Sequence, residues 1–223
     1  MTDTPIQLAF PTPRTWGGRR RGAGRKRTPG RRPSVPHRAR PARVAAHPVH
    51  VTLRAVEALR CLRSRRVFPA VQCALADSSN ARFRVIEFSV QQDHVHLVAE
   101  AADKGALASG IRGLAIRIAR TVNRTLGRRG QVWGDRYHAR ALTTPRAVRH
   151  ALVYVLMNFK KHSDAVTGLD PCSSAAWFGG WRSSPVRHTV KRPPVALART
   201  WLARIGWRRY GLIDPAERPR NSR

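Results

Sequence analysis

Two apolar runs, "RFRVIEFSV" and "HVHLVAE", are separated only by Gln91, Gln92 and Asp93. Both are rich in β-branched and aromatic residues, and a gap that short predicts an antiparallel hairpin. The segments on either side follow the same logic. In "HPVHVTLRAV", Val49, Val51 and Leu53 alternate with His50, Thr52 and Arg54, the period of a half-buried strand. Val67, Phe68, Val71 and Leu75 recur at helical spacing, with Pro69 tolerable only in a first turn. From Leu107 to Leu126 the apolar positions Leu107, Ile111, Leu114, Ile118, Val122 and Leu126 predict a long amphipathic helix. Turn glycines then lead to a short strand from His138 to Leu142. A further helix opens with Thr144 as N-cap and Pro145 in the first helical position, and buries Ala147, Val148, Ala151, Leu152, Val155 and Leu156.

The second run carries two histidines, His94 and His96, two apart. On a strand their side chains share one face while Val95 and Leu97 take the other. Either one fills the core and the other is solvated, or both hold something between them. On the last helix Tyr154 and Asn158 are four apart, hence on one face. With that face set over the histidines, two imidazole nitrogens and an amide oxygen make three neutral ligands. A divalent cation held that way keeps its full charge and open positions, as phosphoryl chemistry requires. A phenol beside it can serve as nucleophile. Tyr137 is the rival, but Ala141, four residues on, is no ligand. His138 and His150 could assist proton transfer or be surface histidines, and Trp133 could be core or a base platform.

Charge narrows the partner. The 223 residues include 43 Lys and Arg against 12 Asp and Glu, a net charge of +31. Such a chain repels itself unless it meets a polyanion, and nucleic acid is the default. No apolar stretch is long enough to span a bilayer, and no secretory signal is visible, so a cytoplasmic, nucleoid-associated protein is expected. Cys61, Cys73 and Cys172 are scattered and suggest neither a zinc site nor a disulfide framework.

Residues 1–45 form a basic arm of Arg, Gly and Pro, expected to be disordered when free and either to track phosphates or merely to solubilise. Residues 46–164 hold the patterned domain, and 165–223 are a C-terminal extension. In that extension Leu197, Trp201, Leu202 and Ile205 predict the inward face of one amphipathic helix. Trp177 and Trp181 could pin the tail or stack bases. Arg117, Arg120 and Arg124 form a stripe on the long helix that is either a solvated face or a set of phosphate contacts.

"DHVHLV" resembles the histidine–hydrophobe–histidine (HUH) signature of single-tyrosine transposases, and "GQVWGDRYHARAL…RHALVYVLMN" resembles their downstream tyrosine block. The nearest likeness is to the REP-associated tyrosine transposases, relatives of insertion-sequence transposases, over about residues 46–164. The resemblance implies an α+β fold of ferredoxin-like type, an antiparallel sheet with packed helices. It implies His94, His96 and Asn158 as ligands of Mg²⁺ or Mn²⁺ and Tyr154 as nucleophile. It also implies a DNA endonuclease and strand transferase working through a 5′-phosphotyrosine on single-stranded hairpin DNA, as a monomer or homodimer. Members commonly carry Asn-Pro here, whereas Phe159, Lys160 and Lys161 follow Asn158. The helix is therefore expected to run on, with Lys160 and Lys161 added to the nucleic-acid contacts. The alternative is a non-catalytic nucleic-acid-binding protein, either a decayed transposase or an RNA-binding protein.

Overall fold

The computed structural model describes residues 44–162, 168–183 and 193–219. The arm expected over residues 1–45 lies, but for its last two positions, outside them. The described chain runs β1 (Val49–Arg54), α1 (Phe68–Ala76), β2 (Phe83–Val90), β3 (His94–Ala101), α2 (Lys104–Leu126), β4 (His138–Ala141), α3 (Pro145–Leu156) and a short α4 (Trp201–Arg204). The four strands form one antiparallel sheet in the order β2-β3-β1-β4. This is the α+β, ferredoxin-like arrangement, with the expected hairpin as β2–β3.

Strand alternation divides the sheet into two unlike faces. Val49, Val51 and Leu53 of β1 and Val95, Leu97 and Ala99 of β3 point to one side. There they pack with Val71 and Leu75 of α1 and Ile111, Leu114, Ile118 and Val122 of α2. Helix α2 sits so close that a Cβ on Gly110 would run into the Phe83 ring. Asp103 caps its start by accepting from the Ala106 amide, and Gly127, in the left-handed region at φ 64°, ends it. The other face carries Ile86 and Val98, covered by Val148, Leu152 and Leu156 of α3 and by Leu202, Trp207 and Ile213 of the C-terminal extension. A bulge between Val85 and Glu87 lets β2 serve both faces.

The extension departs from the single helix expected. Leu197 is 90% exposed, Trp201 46% and Ile205 51%, while Leu202, Ala203 and Trp207 turn inward. The reason is a carboxylate. Glu100, buried on β3, accepts from the Arg199 and Thr200 amides and from the Thr200 hydroxyl. Thr200 is thereby fixed as the N-cap, its oxygen accepting in turn from the Ala203 amide at 3.3 Å. The helix cannot start earlier, so its phase differs from a helix running through Leu197. A 3₁₀ turn at Gly206–Tyr210 follows.

Upstream, Arg63 grips Asp170 with two hydrogen bonds of 2.7 and 2.8 Å and also donates to the Val90 carbonyl. The Val90 amide bonds the Cys172 carbonyl and the Ser174 amide bonds the Phe88 carbonyl, so the extension covers the outer edge of β2. Trp181 is buried, with its Nε1 donating to the Ala175 carbonyl, and so pins the tail.

Glu87, at the bulge, accepts from the Ser174 hydroxyl. Burial pushes its carboxyl from 4.5 up to about 8, and the Ser174 hydrogen bond offsets only part of this. A folded-state value above the unfolded one means that the folded protein holds a proton the unfolded chain has released. Its stabilising contribution is complete below about pH 4.5, declines as pH rises, and is gone by about pH 8. Glu87→Gln, which cannot ionise, should narrow the difference in Tm between acidic and mildly alkaline buffer, as thermal melts of both proteins would read. An identical pH dependence would show that Glu87 does not titrate in this window.

Candidate active site

The polar row of β1 lies beside the histidine row of β3. Register pairs Arg54 with His94, Thr52 with His96 and His50 with Val98. On the other flank of β1, Thr52 pairs with His138 and His50 with Arg140. His96 is 4% exposed. Its Nδ1 is 3.1 Å from the Thr52 Oγ1 and 3.3 Å from the His50 Nε2. Its Nε2 is buried with no hydrogen-bond partner among the described residues. The His94 Nδ1 is 2.6 Å from the Asp93 carboxylate, which also accepts from Arg54 at 3.0 Å.

Burial sets the protonation here. It holds His96 well below the ordinary imidazole value, with help from the charges of His94, His50, Arg54 and Lys161. Burial, then His138 and Arg140, lower His50 to about 4. Both rings are therefore neutral at physiological pH. Burial alone would raise the Asp93 carboxyl, but the hydrogen bond and charge of His94 and the charge of Arg54 outweigh it and hold Asp93 below its usual value. In the tautomer whose Nδ1–H donates to Thr52, the neutral His96 keeps the lone pair of its Nε2.

Helix α3 brings the tyrosine. The Thr144 side chain accepts from the Ala147 amide at 3.1 Å and Pro145 presets the first turn. The apolar stripe of Val148, Leu152 and Val155 then seats the helix on the sheet. The Tyr154 ring stands 5.0 Å from that of His96 and 5.5 Å from that of His50, both edge-on. The His94 and His96 rings are 4.6 Å apart. The Lys161 Nζ lies 5.6 Å from the Tyr154 ring centre. A cleft of about 610 Å³ opens beside this cluster, between His50, Thr52, His138 and Arg140 on the sheet and Arg146, His150 and Tyr154 on α3.

The expected residues thus fall into separate groups. His94, His96, Tyr154 and Lys161 come together. Asn158 is buried at 2% exposure, but the unbroken helix expected beneath it is absent. α3 stops at Leu156, Met157 leaves helical geometry at φ −111°, ψ 12°, and Asn158–His162 is a 3₁₀ turn. Lys160 is 5% exposed and its ammonium donates to the Pro215 carbonyl, so its charge is spent inside the protein. Arg117, Arg120 and Arg124 are exposed on α2, which packs against the opposite face of the sheet from the histidines. Tyr137 packs against that α2-side core as well. Trp133 does too, its Nε1 donating to the Ala115 carbonyl.

Three participants were not singled out from sequence: His50, Thr52 and Asp93. Alternation placed His50 and Thr52 on the polar face of β1, but only the register with β3 shows that this face meets His96.

Residues 49–155, from the start of β1 to the penultimate residue of α3, match the family described as "Transposase IS200 like". The matched segment contains His94, His96 and Tyr154 and ends before Asn158. Solved structures similar to this chain include a REP-associated tyrosine transposase bound to a REP hairpin. It is 17% identical, with 63% of this chain and 82% of that one covered and a TM-score of 0.49. A second is a candidate transposase from Deinococcus radiodurans, 17% identical, covering 42% of this chain and 76% of that one with a TM-score of 0.36. No curated protein sequence matches. Over residues 49–155, just short of half of its length, the chain is similar to the IS200-like transposase family.

Proposed function

We propose that the protein cleaves and rejoins single-stranded DNA at hairpin-bearing sites, with Tyr154 as nucleophile and a divalent cation, Mg²⁺ or Mn²⁺, held by His94 and His96. The observation that carries this reading is the pairing of Tyr154 with a neutral, buried His96 whose Nε2 has no hydrogen-bond partner among the described residues. An orphaned acceptor in a buried site is costly unless something occupies it, and a metal ion fits an imidazole lone pair. Among the described residues no three His, Cys, Asp or Glu side chains cluster as a ligand set. For a third protein ligand our assignment is Asn158, buried just beyond α3. When bound, the cation withdraws charge from a phosphate oxygen.

The protein's own groups do the rest. Thr52 and Asp93 orient the two imidazoles through their Nδ1 atoms. The phenolic oxygen of Tyr154 attacks phosphorus. The O–P bond to tyrosine forms as the bond to the 3′ oxygen breaks, and the phenolic proton ends on the released 3′-hydroxyl. One phosphodiester is exchanged for another, so neither ATP nor water enters, and the reverse attack by a 3′-hydroxyl joins strands. The Lys161 ammonium lies beside the ring where negative charge gathers. A single strand suits the cleft because a duplex holds its backbone too stiffly to bring one phosphate into a recessed site. The basic arm over residues 1–45 supplies sequence-independent affinity, and the protein acts as a monomer or homodimer at DNA in the cytoplasm.

Tyr154→Phe should abolish a covalent adduct with labelled hairpin DNA on a denaturing gel while leaving binding intact, because affinity resides in Lys and Arg. Tyr137→Phe should still form the adduct. The opposite pattern would move the nucleophile to Tyr137, and no adduct from the wild type would favour a binding protein. His96→Ala should remove Mn²⁺ binding by calorimetry. Thr52→Val should weaken it by roughly 10–100-fold, as loss of an orienting partner does. Mn²⁺ affinity unchanged in both variants would end the metal assignment. Deleting residues 1–45, which contain about a dozen Lys and Arg, should make the slope of log affinity against log salt shallower by roughly 0.7 for each phosphate no longer neutralised. A constant slope would make the arm a solubilising extension.

A further inference from the structure

We propose that Arg140 of β4 and Arg146 of α3 form a phosphate clamp at the outer part of the active-site cleft, gripping the backbone of the strand whose neighbouring linkage Tyr154 attacks. This rests on the strand-cleavage reading above. It gives that reaction a path for its substrate, and the path differs from the one the sequence suggested.

Three observations converge. The first is position. Arg146, His150 and Tyr154 are spaced four apart along α3 and all line the cleft. At 1.5 Å per residue, Arg146 lies about 12 Å along the helix from the nucleophile. On the opposing wall, Arg140 is the cross-strand partner of His50. It stands two strands out from β3, about 10 Å from the histidine row. A cation therefore sits on each wall at a similar remove from the chemistry.

The second is commitment. Arg149, one turn from Arg146, is fully engaged with the Glu217 carboxylate and with the Gly211 and Leu212 carbonyls. Arg140 and Arg146 are exposed, and neither makes a hydrogen bond or ion pair among the described residues. Two unneutralised guanidiniums lining one cleft are favourable when an anion lies between them, and their forked donors match phosphate.

The third is access. β4 is a four-residue edge strand, so a chain can leave the cleft over it, whereas the edge at β2 is covered by the extension. Ala147, Ala151 and Leu142 line the cleft with little bulk. Arg117, Arg120 and Arg124 lie beyond the sheet and cannot grip the same stretch.

The test uses the full chain and a fluorescein-labelled single-stranded oligonucleotide, with binding followed by anisotropy across a salt series in EDTA. Arg140→Ala with Arg146→Ala should weaken binding about tenfold, as loss of charge-assisted hydrogen bonds does. The salt slope should become shallower by roughly 0.7 for each phosphate released from the clamp. The arm is present throughout, so its contribution cancels. Arg140→Lys with Arg146→Lys should keep the slope near wild type and recover part of the affinity, which guards against misfolding of the Ala variant. Affinity and slope unchanged in the Ala variant would overturn the clamp, as would an equal weakening from Arg117→Ala with Arg120→Ala. Because binding is read without metal, the two readings separate. A shallower slope with no adduct from the wild type supports the clamp and removes the cleavage reading. An adduct with an unchanged slope does the reverse.

Discussion

Everything at the candidate site depends on the register between β1 and β3. Side chains alternate across a pleated sheet, so one slip of a residue would send Val95 and Leu97 to the α3 side and His94 and His96 into the aliphatic packing beneath α1 and α2. The apolar rows of the two strands lock the pairing, because only one register buries Val49, Val51 and Leu53 together with Val95, Leu97 and Ala99. The hydrophobic effect on one face thus positions imidazoles on the other. Thr52 meets His96 as a consequence of packing a layer away.

Two buried carboxylates carry the organisation outward from the sheet. Asp170 is wholly buried against Arg63, and Glu100 against Arg84 and the start of α4. Burial would lift the Glu100 carboxyl, but Arg84 and the donors of Arg199 and Thr200 outweigh it and keep it low. Pairs of this kind contribute little net stability over apolar substitutes, yet losing one partner costs about 3–5 kcal/mol. Their effect is to fix geometry: they decide where the chain after α3 touches the sheet and where α4 begins.

Much of this was legible in the sequence. The β2–β3 hairpin, the α2 stripe and the Thr144–Pro145 start of α3 follow from local periodicity and capping, and local rules suffice where one segment decides its own structure. The same rules failed after residue 193, where Leu197, Trp201 and Ile205 looked like an inward face. The phase of α4 is set by Glu100, about a hundred residues away, and no local pattern records that contact. The site shows the same division. His94, His96 and Tyr154 stood out by residue type and spacing. His50 and Thr52 did not, because an imidazole and a hydroxyl on a polar strand face look solvated until the neighbouring strand is known. Lys160 read as a surface cation, and the carbonyl that takes its charge, Pro215, belongs to the extension.

The chain after α3 has a bearing on how such a protein can be divided. Trp207, Leu202 and Ile213 lie in the same packed cluster as Val98, Leu152 and Leu156, and Arg149 on α3 is tied to Glu217. The family segment, residues 49–155, is therefore not a portable module. Cut out alone, it would leave the α3 layer bare on its outer side and Glu100 without the backbone donors that now satisfy it. Segment and covering tail are one packing unit in this chain, so a cut between them would open the cluster that holds Leu152 and Leu156 against Leu202 and Trp207.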